Sequence, residues 1–366
     1  MNPFLTIGYG GQEYFCDREE ETKALISAIT NNRAVNLTSI RRIGKTALIK
    51  HVFHQLPKTY VPVFIDLEGT DNLNAFISRF TNELAKKLSQ IDKGMIGKLL
   101  SWASTLGASV SLDPLDGSPK LEFSRRSNAK IDSLDGLLHL MDNHDKRIFV
   151  LAIDEFQELS KYENNNTEGW IRAKMQEFPN VRFIFSGSEQ SLMQRIFDDP
   201  KRPFYQITQP MHLSYIPDDQ YLKFITHHLK KYDQVSEKDI QSVLDWCRGY
   251  TYYVQYFCNI LYGKLDAGNY SSLEEIKWEI LESNKHFFLS QQKLVTSLHW
   301  KLLKAIAKEG EVINYTSRAF VQKTEMATTS IKRSIESLLE KALLLNENSA
   351  IRIYNVFFQR YLETLL

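Results

Sequence analysis

The stretch that decides the fold is Ser39-Ile40-Arg41-Arg42-Ile43-Gly44-Lys45-Thr46. It fits the phosphate-binding P-loop at every fixed position except the first, which is usually glycine and is Ser39 here. Residues 33–37 before it have the length and apolar character of a buried strand, and residues 46–54 after it have a helical pattern. This order of strand, loop and helix is the context that the motif requires.

Each residue type in this loop has a chemical role. Backbone N–H groups of the loop and of the following helix converge on phosphate oxygens. Lys45 reaches the β and γ phosphates, the Thr46 hydroxyl holds Mg²⁺, and Gly44 lets the backbone approach the phosphate. The predicted ATP-binding residues of the loop are Arg41, Arg42, Ile43, Gly44, Lys45, Thr46 and Ala47. A surface loop that merely contains Gly-Lys-Thr is the alternative, which the flanking segments disfavour.

A second apolar segment, at 149–153, ends in two carboxylates, Asp154 and Glu155. Hydrolysis of a phosphoanhydride needs one carboxylate near the metal and another near the attacking water. We therefore predict that Asp154 binds Mg²⁺ with Thr46 and that Glu155 polarises the water. Paired acids also cap helices, which is the alternative. Ser186 ends a further apolar segment and is predicted to sense the γ phosphate, the alternative being a simple turn.

Strand and helix patterns alternate through the first half of the chain. Further strands are predicted at 61–66, 148–153 and 181–186, with an amphipathic helix at 72–88. Such alternation predicts an α/β P-loop fold, in which helices cover both faces of a parallel sheet. Polar and apolar residues alternate on either side of a turn within about 93–133, which predicts a hairpin insertion.

Composition limits the classes of protein. The chain has 366 residues, with 45 Lys+Arg against 44 Asp+Glu, so any binding to nucleic acid or anionic lipid must be regional. Its three cysteines show no metal-binding spacing and suit a reducing compartment. No membrane-spanning stretch or signal peptide is visible, and we expect a cytoplasmic protein. Neither the Asn-Lys-x-Asp motif of GTPases nor a Leu-Ser-Gly-Gly-Gln signature occurs.

These motifs together resemble the archaeal-type ATPases of the AAA+/STAND group, and the resemblance covers essentially the whole chain. Two positions that usually hold glycine in relatives hold Asp17 and Ser39 here, and Gly249-Tyr250-Thr251 lacks the proline of the G-x-P motif of the lid. The matching segments are Asn2-Pro3-Phe4, Phe15-Cys16-Asp17-Arg18-Glu19, Arg41–Thr46, Ile153-Asp154-Glu155-Phe156-Gln157, Ser186-Gly187-Ser188 and Pro203-Phe204-Tyr205.

The resemblance implies an ATPase core at 1–215, a helical lid at 216–290 and a winged helix-turn-helix domain at 291–366. It also implies that Tyr14 and Phe15 lie near the adenine, although both are equally suited to a core. Arg195 and Arg202 are the candidates for an arginine finger, or else ordinary solvated charges. A finger acting on a neighbouring copy would imply a homo-oligomer.

The segment from 291 onward carries 11 Lys+Arg and 7 Asp+Glu, so it is mildly basic. If 328–341 is its recognition helix, the residues offered to duplex DNA are Thr328, Thr329, Lys332 and Arg333. A winged helix that packs against protein is the alternative.

Three functions follow for the whole chain. The first is an ATP-binding, Mg²⁺-dependent ATPase that works as a nucleotide switch or motor. The others are a DNA-binding regulator and an origin-recognition-like loader, in which ATP is mainly structural.

Overall fold

The structure is a computed structural model that describes residues 2–114, 117–123, 134–144, 147–162, 167–347 and 349–366. Its chain contacts divide it into two compact units. One unit spans 7–215, and the other combines 1–6 with 216–366. The first six residues, which the sequence assigned to the ATPase core, therefore pack with the C-terminal part instead.

The strands are numbered along the chain as β1 (Val35–Thr38), β2 (Tyr60–Asp66), β3 (Ala108–Leu112), β4 (Pro119–Phe123), β5 (Ile148–Asp154), β6 (Val181–Gly187), β7 (Gln209–His212), β8 (Leu344–Glu347) and β9 (Ala350–Ile353). The helices are α1 (Glu19–Thr30), α2 (Lys45–Gln55), α3 (Leu73–Ile91), α4 (Lys93–Thr105), α5 (Asp135–Asp142), α6 (Thr167–Glu177), α7 (Gln190–Phe197), α8 (Asp218–Leu229), α9 (Glu237–Cys247), α10 (Thr251–Asp266), α11 (Leu273–Lys293), α12 (Ser297–Glu309), α13 (Arg318–Thr324), α14 (Thr328–Glu340) and α15 (Val356–Glu363). Short 3₁₀ helices lie at Gln12–Tyr14 and Phe156–Lys161.

The unit at 7–215 is built on a five-stranded parallel sheet in the order β2-β5-β6-β1-β7. Strand β6 stands between β1 and β5, with Leu37 opposite Ser186 and Ile153 opposite Phe185. Because parallel strands share their direction, this register brings the carboxyl ends of β1, β5 and β6 to one edge. The P-loop, the two acids and Ser186 all lie at that edge.

Burial explains why these segments form inner strands. Residues of β5 and β6 are buried on both faces almost without interruption, as expected of a parallel sheet covered by helices. Helix α3 contributes an apolar face to this core through Phe76, Phe80, Leu84 and Leu88.

Strand β7, at Gln209–His212, pairs with β1 at the edge of the sheet and is absent from the sequence prediction. Its Gln-Pro-Met-His sequence has neither the apolar run nor the alternation that reveals a strand. Edge strands tolerate proline because one side of their backbone pairs with no neighbour.

The predicted hairpin is present as β3 and β4, with Val110 opposite Leu121. The Asn82 side chain of α3 anchors it by bonding both the N–H and the C=O of Leu121, at 2.7 and 2.9 Å. Residues 93–105, which the sequence assigned to this insertion, form helix α4. Residues 115–116 of the hairpin turn and the rest of the insertion at 124–133 lie outside the described residues.

The second unit is helical from α8 to α11 and continues with α12, α13, α14 and the antiparallel pair β8–β9. This order of three helices and a hairpin matches the predicted winged helix, although residue 348 of its turn lies outside the described residues. The predicted boundary at 290 falls inside the last turn of α11. Helix α15 was not predicted; it packs on α11 and α12.

None of the described helices is both long enough and apolar enough to cross a membrane.

Candidate nucleotide site

The loop between β1 and α2 has the backbone that a phosphate cradle needs. Gly44 has a φ of 105° and precedes α2, which starts at Lys45. Arg42 is also left-handed, at 70°. Ser39, the departure from the motif, does not have a positive φ, so a side chain there causes no backbone strain. The serine is compatible with the loop, and its hydroxyl donates to the carbonyl of Ile40 at 2.7 Å.

Lys45 is almost fully buried, with 6% of its surface exposed. Its Nζ donates to the Ser39 hydroxyl at 3.2 Å. Burial lowers the pKa of the ammonium, while Asp154 and Glu155 act in the opposite direction. A cation withdrawn from water in this way gains from an anion placed beside it, as a phosphate would be.

Asp154 is the centre of a second group of contacts. Its Oδ2 accepts from the Thr46 hydroxyl at 2.7 Å, and its Oδ1 accepts from the Ser186 hydroxyl. The acid is 4% exposed and Ser186 is fully buried. A carboxylate and a hydroxyl at this distance are the oxygen donors that Mg²⁺ prefers. The side chains of Thr46 and Asp154 thus fit the predicted metal site.

Glu155 lies in the left-handed region, with a φ of 51°, and is the cap residue before the 3₁₀ helix that follows β5. Its Oε2 accepts from the Ser188 hydroxyl at 2.7 Å and from the Gln157 side-chain amide. Ser188 in turn accepts from Arg41 Nε at 3.1 Å. The P-loop and the second acid are therefore joined through one serine hydroxyl.

The two aromatic residues predicted near the adenine lie in different environments. Phe15 stacks on the ring of His51 in α2, with the ring centroids 4.0 Å apart. Tyr14 ends a 3₁₀ helix and is half-buried. Asp17, two residues after Phe15, has a φ of 56°, a left-handed conformation that glycine adopts readily, in agreement with the glycine that the resemblance places at this position.

The two arginine candidates differ in their surroundings. Arg202 donates to Glu168 Oε1 at 2.6 Å, an ion pair with a mostly buried acid. Arg195 lies in the last turn of α7 and is exposed. Arg195 is thus the candidate with an accessible guanidinium.

The start of α14 presents all four predicted DNA-facing residues to solvent, namely Thr328, Thr329, Lys332 and Arg333. The opposite face of the helix is buried through Ile331, Ile335 and Leu338. These positions agree with the predicted orientation of the helix; DNA contact itself stays a prediction.

Sequence reasoning quoted Ser188 and Gln157 inside motifs and gave neither a role. A signal for Ser188 existed, since it follows a predicted strand end by two residues. Gln157 gave none, because its contact depends on a left-handed turn at Glu155 that no periodicity reveals.

A family model described as "Probable winged helix domain" matches residues 286–364. Among solved structures, the Walker-type ATPase of Pyrococcus abyssi is similar over 99% of both chains, with 19% identity and a TM-score of 0.66. The chain has the fold of a P-loop ATPase with a C-terminal winged helix domain. This confirms the predicted fold class and, at the level of the fold, the predicted resemblance.

Two archaeal origin-recognition proteins share the fold. The ORC2 protein of Aeropyrum pernix, solved as ADPNP-ADP complexes, has 13% identity and a TM-score of 0.59, with 100% of this chain and 98% of that chain covered. The ORC1 protein of the same organism, solved in complex with DNA, has 10% identity and a TM-score of 0.51, with 96% and 93% covered. Among curated proteins, no significant match is found.

Proposed function

We propose that the chain binds and hydrolyses Mg-ATP and works as a nucleotide-controlled switch or motor of the AAA+/STAND type. The observation that carries this proposal is the convergence of Lys45, the Thr46–Asp154 pair and Glu155 at the carboxyl ends of β1 and β5, which flank β6. The ORC2 neighbour with its nucleotides supports the same class of ligand.

The residues divide the work of hydrolysis among them. The loop N–H groups and Lys45 bind the phosphates, and Thr46 and Asp154 hold Mg²⁺. The metal, when bound, neutralises charge on the phosphate oxygens. Glu155 accepts a proton from water while the water oxygen bonds to the γ phosphorus and the bond from that phosphorus to the ADP oxygen breaks. Ser186, bonded to Asp154, is placed to respond to the γ phosphate.

Glu155→Gln tests this assignment. It keeps the shape and removes the charge, so we expect single-turnover hydrolysis to fall by roughly a hundredfold to ten-thousandfold while ATP affinity changes little. Glu158→Gln is the matched control, because Glu158 lies three residues on and pairs with Lys161 at 2.7 Å. Equal hydrolysis by Glu155→Gln and the parent chain would remove Glu155 from the mechanism.

A second candidate function is a DNA-binding regulator or an origin-recognition-like loader. Lys332 and Arg333, exposed together at the start of α14, favour it, as does the ORC1 neighbour in complex with DNA. Titration with duplex DNA at several salt concentrations tests it, since phosphate contacts give a steep salt dependence. Absence of duplex binding at low salt would leave a protein partner for this surface.

The exposed Arg195 favours action on a neighbouring copy in a homo-oligomer. Size measurement with and without ATP tests this proposal, and Arg195→Ala should lower turnover without affecting ATP affinity. A chain that stays monomeric with ATP while it hydrolyses at full rate would contradict it.

A further inference from the structure

Two hydrogen-bond donors converge on one oxygen of Glu155. The Ser188 hydroxyl and the Gln157 amide both donate to Oε2, one from the end of β6 and the other from the 3₁₀ helix after β5. A carboxylate held by two donors from different elements has little freedom to rotate. Neither of these donors occupies Oε1, so that oxygen remains for the water.

Gln157 reaches this position only because two backbone features allow it. The left-handed turn at Glu155 folds the chain back so that a side chain two residues later lies beside the carboxylate. Gly187 provides the space, since a Cβ there would lie 2.4 Å from Gln157 Oε1 and 2.5 Å from Met193 Sδ. The glycine and the glutamine therefore fit each other.

The contact between Gln157 and Glu155 is accompanied by a loss of stability of the folded state. Gln157 is fully buried, and its Oε1 has no hydrogen-bond partner among the described residues. A buried polar atom without a partner destabilises the folded state, and an apolar side chain of the same size would avoid that loss. The bond from its Nε2 to Glu155 Oε2 is the contact that an apolar side chain could not provide.

We infer that Gln157 is a positioning residue, which fixes Glu155 so that Oε1 faces the attacking water. Ser188 is the second donor and connects this carboxylate to Arg41 of the phosphate loop. The inference rests on the proposed function, because it assigns a partner to the proposed base. It adds a residue whose effect is on turnover and not on nucleotide binding.

The test is Gln157→Met, which keeps the volume and removes both the amide donor and the unpartnered oxygen. Loss of a hydrogen bond to a charged group predicts that kcat falls roughly 10- to 100-fold. KM and ATP affinity should stay within about twofold, and the thermal midpoint should not fall. In a Glu155→Gln background the same change should cause no further loss of hydrolysis, since its effect passes through Glu155.

Gln209→Met is the matched control. Gln209 is the first residue of β7 and lies at the amino end of the parallel strands, whereas Glu155 follows the carboxyl end of β5. The Oε1 atom of Gln209 is also buried without a partner among the described residues. The same replacement there should leave kcat unchanged. Ser188→Ala, which removes the other donor, should lower kcat as well and should leave ATP affinity within about twofold.

Three results would overturn the inference. Parental kcat in Gln157→Met, with Glu155→Gln inactive, would reject the positioning role and leave the proposed function standing. A parallel fall in the thermal midpoint and in ATP affinity would show a structural role instead. Full hydrolysis by Glu155→Gln would reject the proposed base itself, and with it any residue said to position it.

Discussion

The sheet edge that carries the candidate nucleotide site and the exposed start of α14 differ in how their polar residues are placed. At the edge, Lys45, Asp154 and Ser186 are almost fully buried and bonded to one another or to their neighbours. At the start of α14, Lys332 and Arg333 are exposed, and no ion pair among the described residues includes them.

This contrast is also present within the C-terminal unit, where several other basic residues are paired. Lys301, Lys323 and Arg352 each contact a glutamate in the same unit. The positive charge of Lys332 and Arg333 is therefore available to an outside molecule. At the sheet edge, the contacts among the buried side chains indicate which chemistry they support. At the start of α14, the exposed side chains indicate only that a partner would carry negative charge. We therefore expect substitutions in the two regions to affect different properties.

The largest expected effect is at the edge. Lys45→Ala removes the side-chain cation that we propose binds the β and γ phosphates. We expect Mg-ATP affinity to fall about a hundredfold or more, as for a lost hydrogen bond to a charged group. Isothermal calorimetry measures it, with Lys50→Ala as the control, since Lys50 lies one turn on in α2 over the Phe64 ring. Unchanged affinity would show that nucleotide binds elsewhere.

The next largest effect is expected on the free energy of unfolding, through the packing around Gln157. Gly187→Ala places a methyl group against Gln157 and Met193, and overpacking of this kind costs about 1 to 3 kcal/mol of unfolding free energy. Denaturant unfolding measures it. Gly97→Ala is the control: Gly97 is in α4 with open space around it, so alanine should raise stability by up to about 1 kcal/mol. A stable Gly187→Ala variant would mean that Gln157 moves freely.

At the exposed start of α14, charge reversal should change only the affinity for duplex DNA. Lys332→Glu with Arg333→Glu should weaken duplex binding about tenfold and lower the salt slope by about two, one for each lost phosphate contact. ATP affinity and the thermal midpoint should not change. Lys230→Glu with Lys238→Glu is the control for net charge, as both lysines are exposed, Lys230 just after α8 and Lys238 in α9. Equal weakening by both pairs would show that DNA is attracted only by overall charge.

The smallest effect is expected at Ser39, the position that departs from the P-loop motif. Ser39→Gly removes the hydroxyl that Lys45 contacts, so ATP no longer competes with it for the ammonium. We expect ATP affinity to rise by no more than about threefold, less than the roughly tenfold scale of a hydrogen bond to a charged group, because water can replace the lost hydroxyl as a partner of the ammonium. Calorimetry measures this change too. A tenfold loss would show instead that the Ser39 hydroxyl itself contacts the nucleotide.

Sequence patterns predicted four of the five strands of the large sheet, β1, β2, β5 and β6, because each is a compact apolar run. They predicted Lys45, Thr46 and Asp154 because these lie at or shortly after strand ends at fixed spacing. They failed where tertiary contacts replace local pattern. Strand β7 is polar and depends on β1 for its pairing, and α15 is short. The contact between Gln157 and Glu155 depends on one left-handed residue and one glycine, and neither has a periodic signal.

The first residues have a consequence for any shortened form of the chain. Phe4 is fully buried with its ring edge-on to Phe224 and Tyr262, and Asn2 and Asn259 exchange side-chain bonds with each other's segments. The C-terminal unit is thus discontinuous in sequence, with residues 7–215 inserted into it. A fragment that begins at 216 would lack one ring of its own core. The opening residues therefore occupy the C-terminal unit as a covalently attached peptide. We expect that a synthetic peptide of the same sequence could bind a fragment that lacks them.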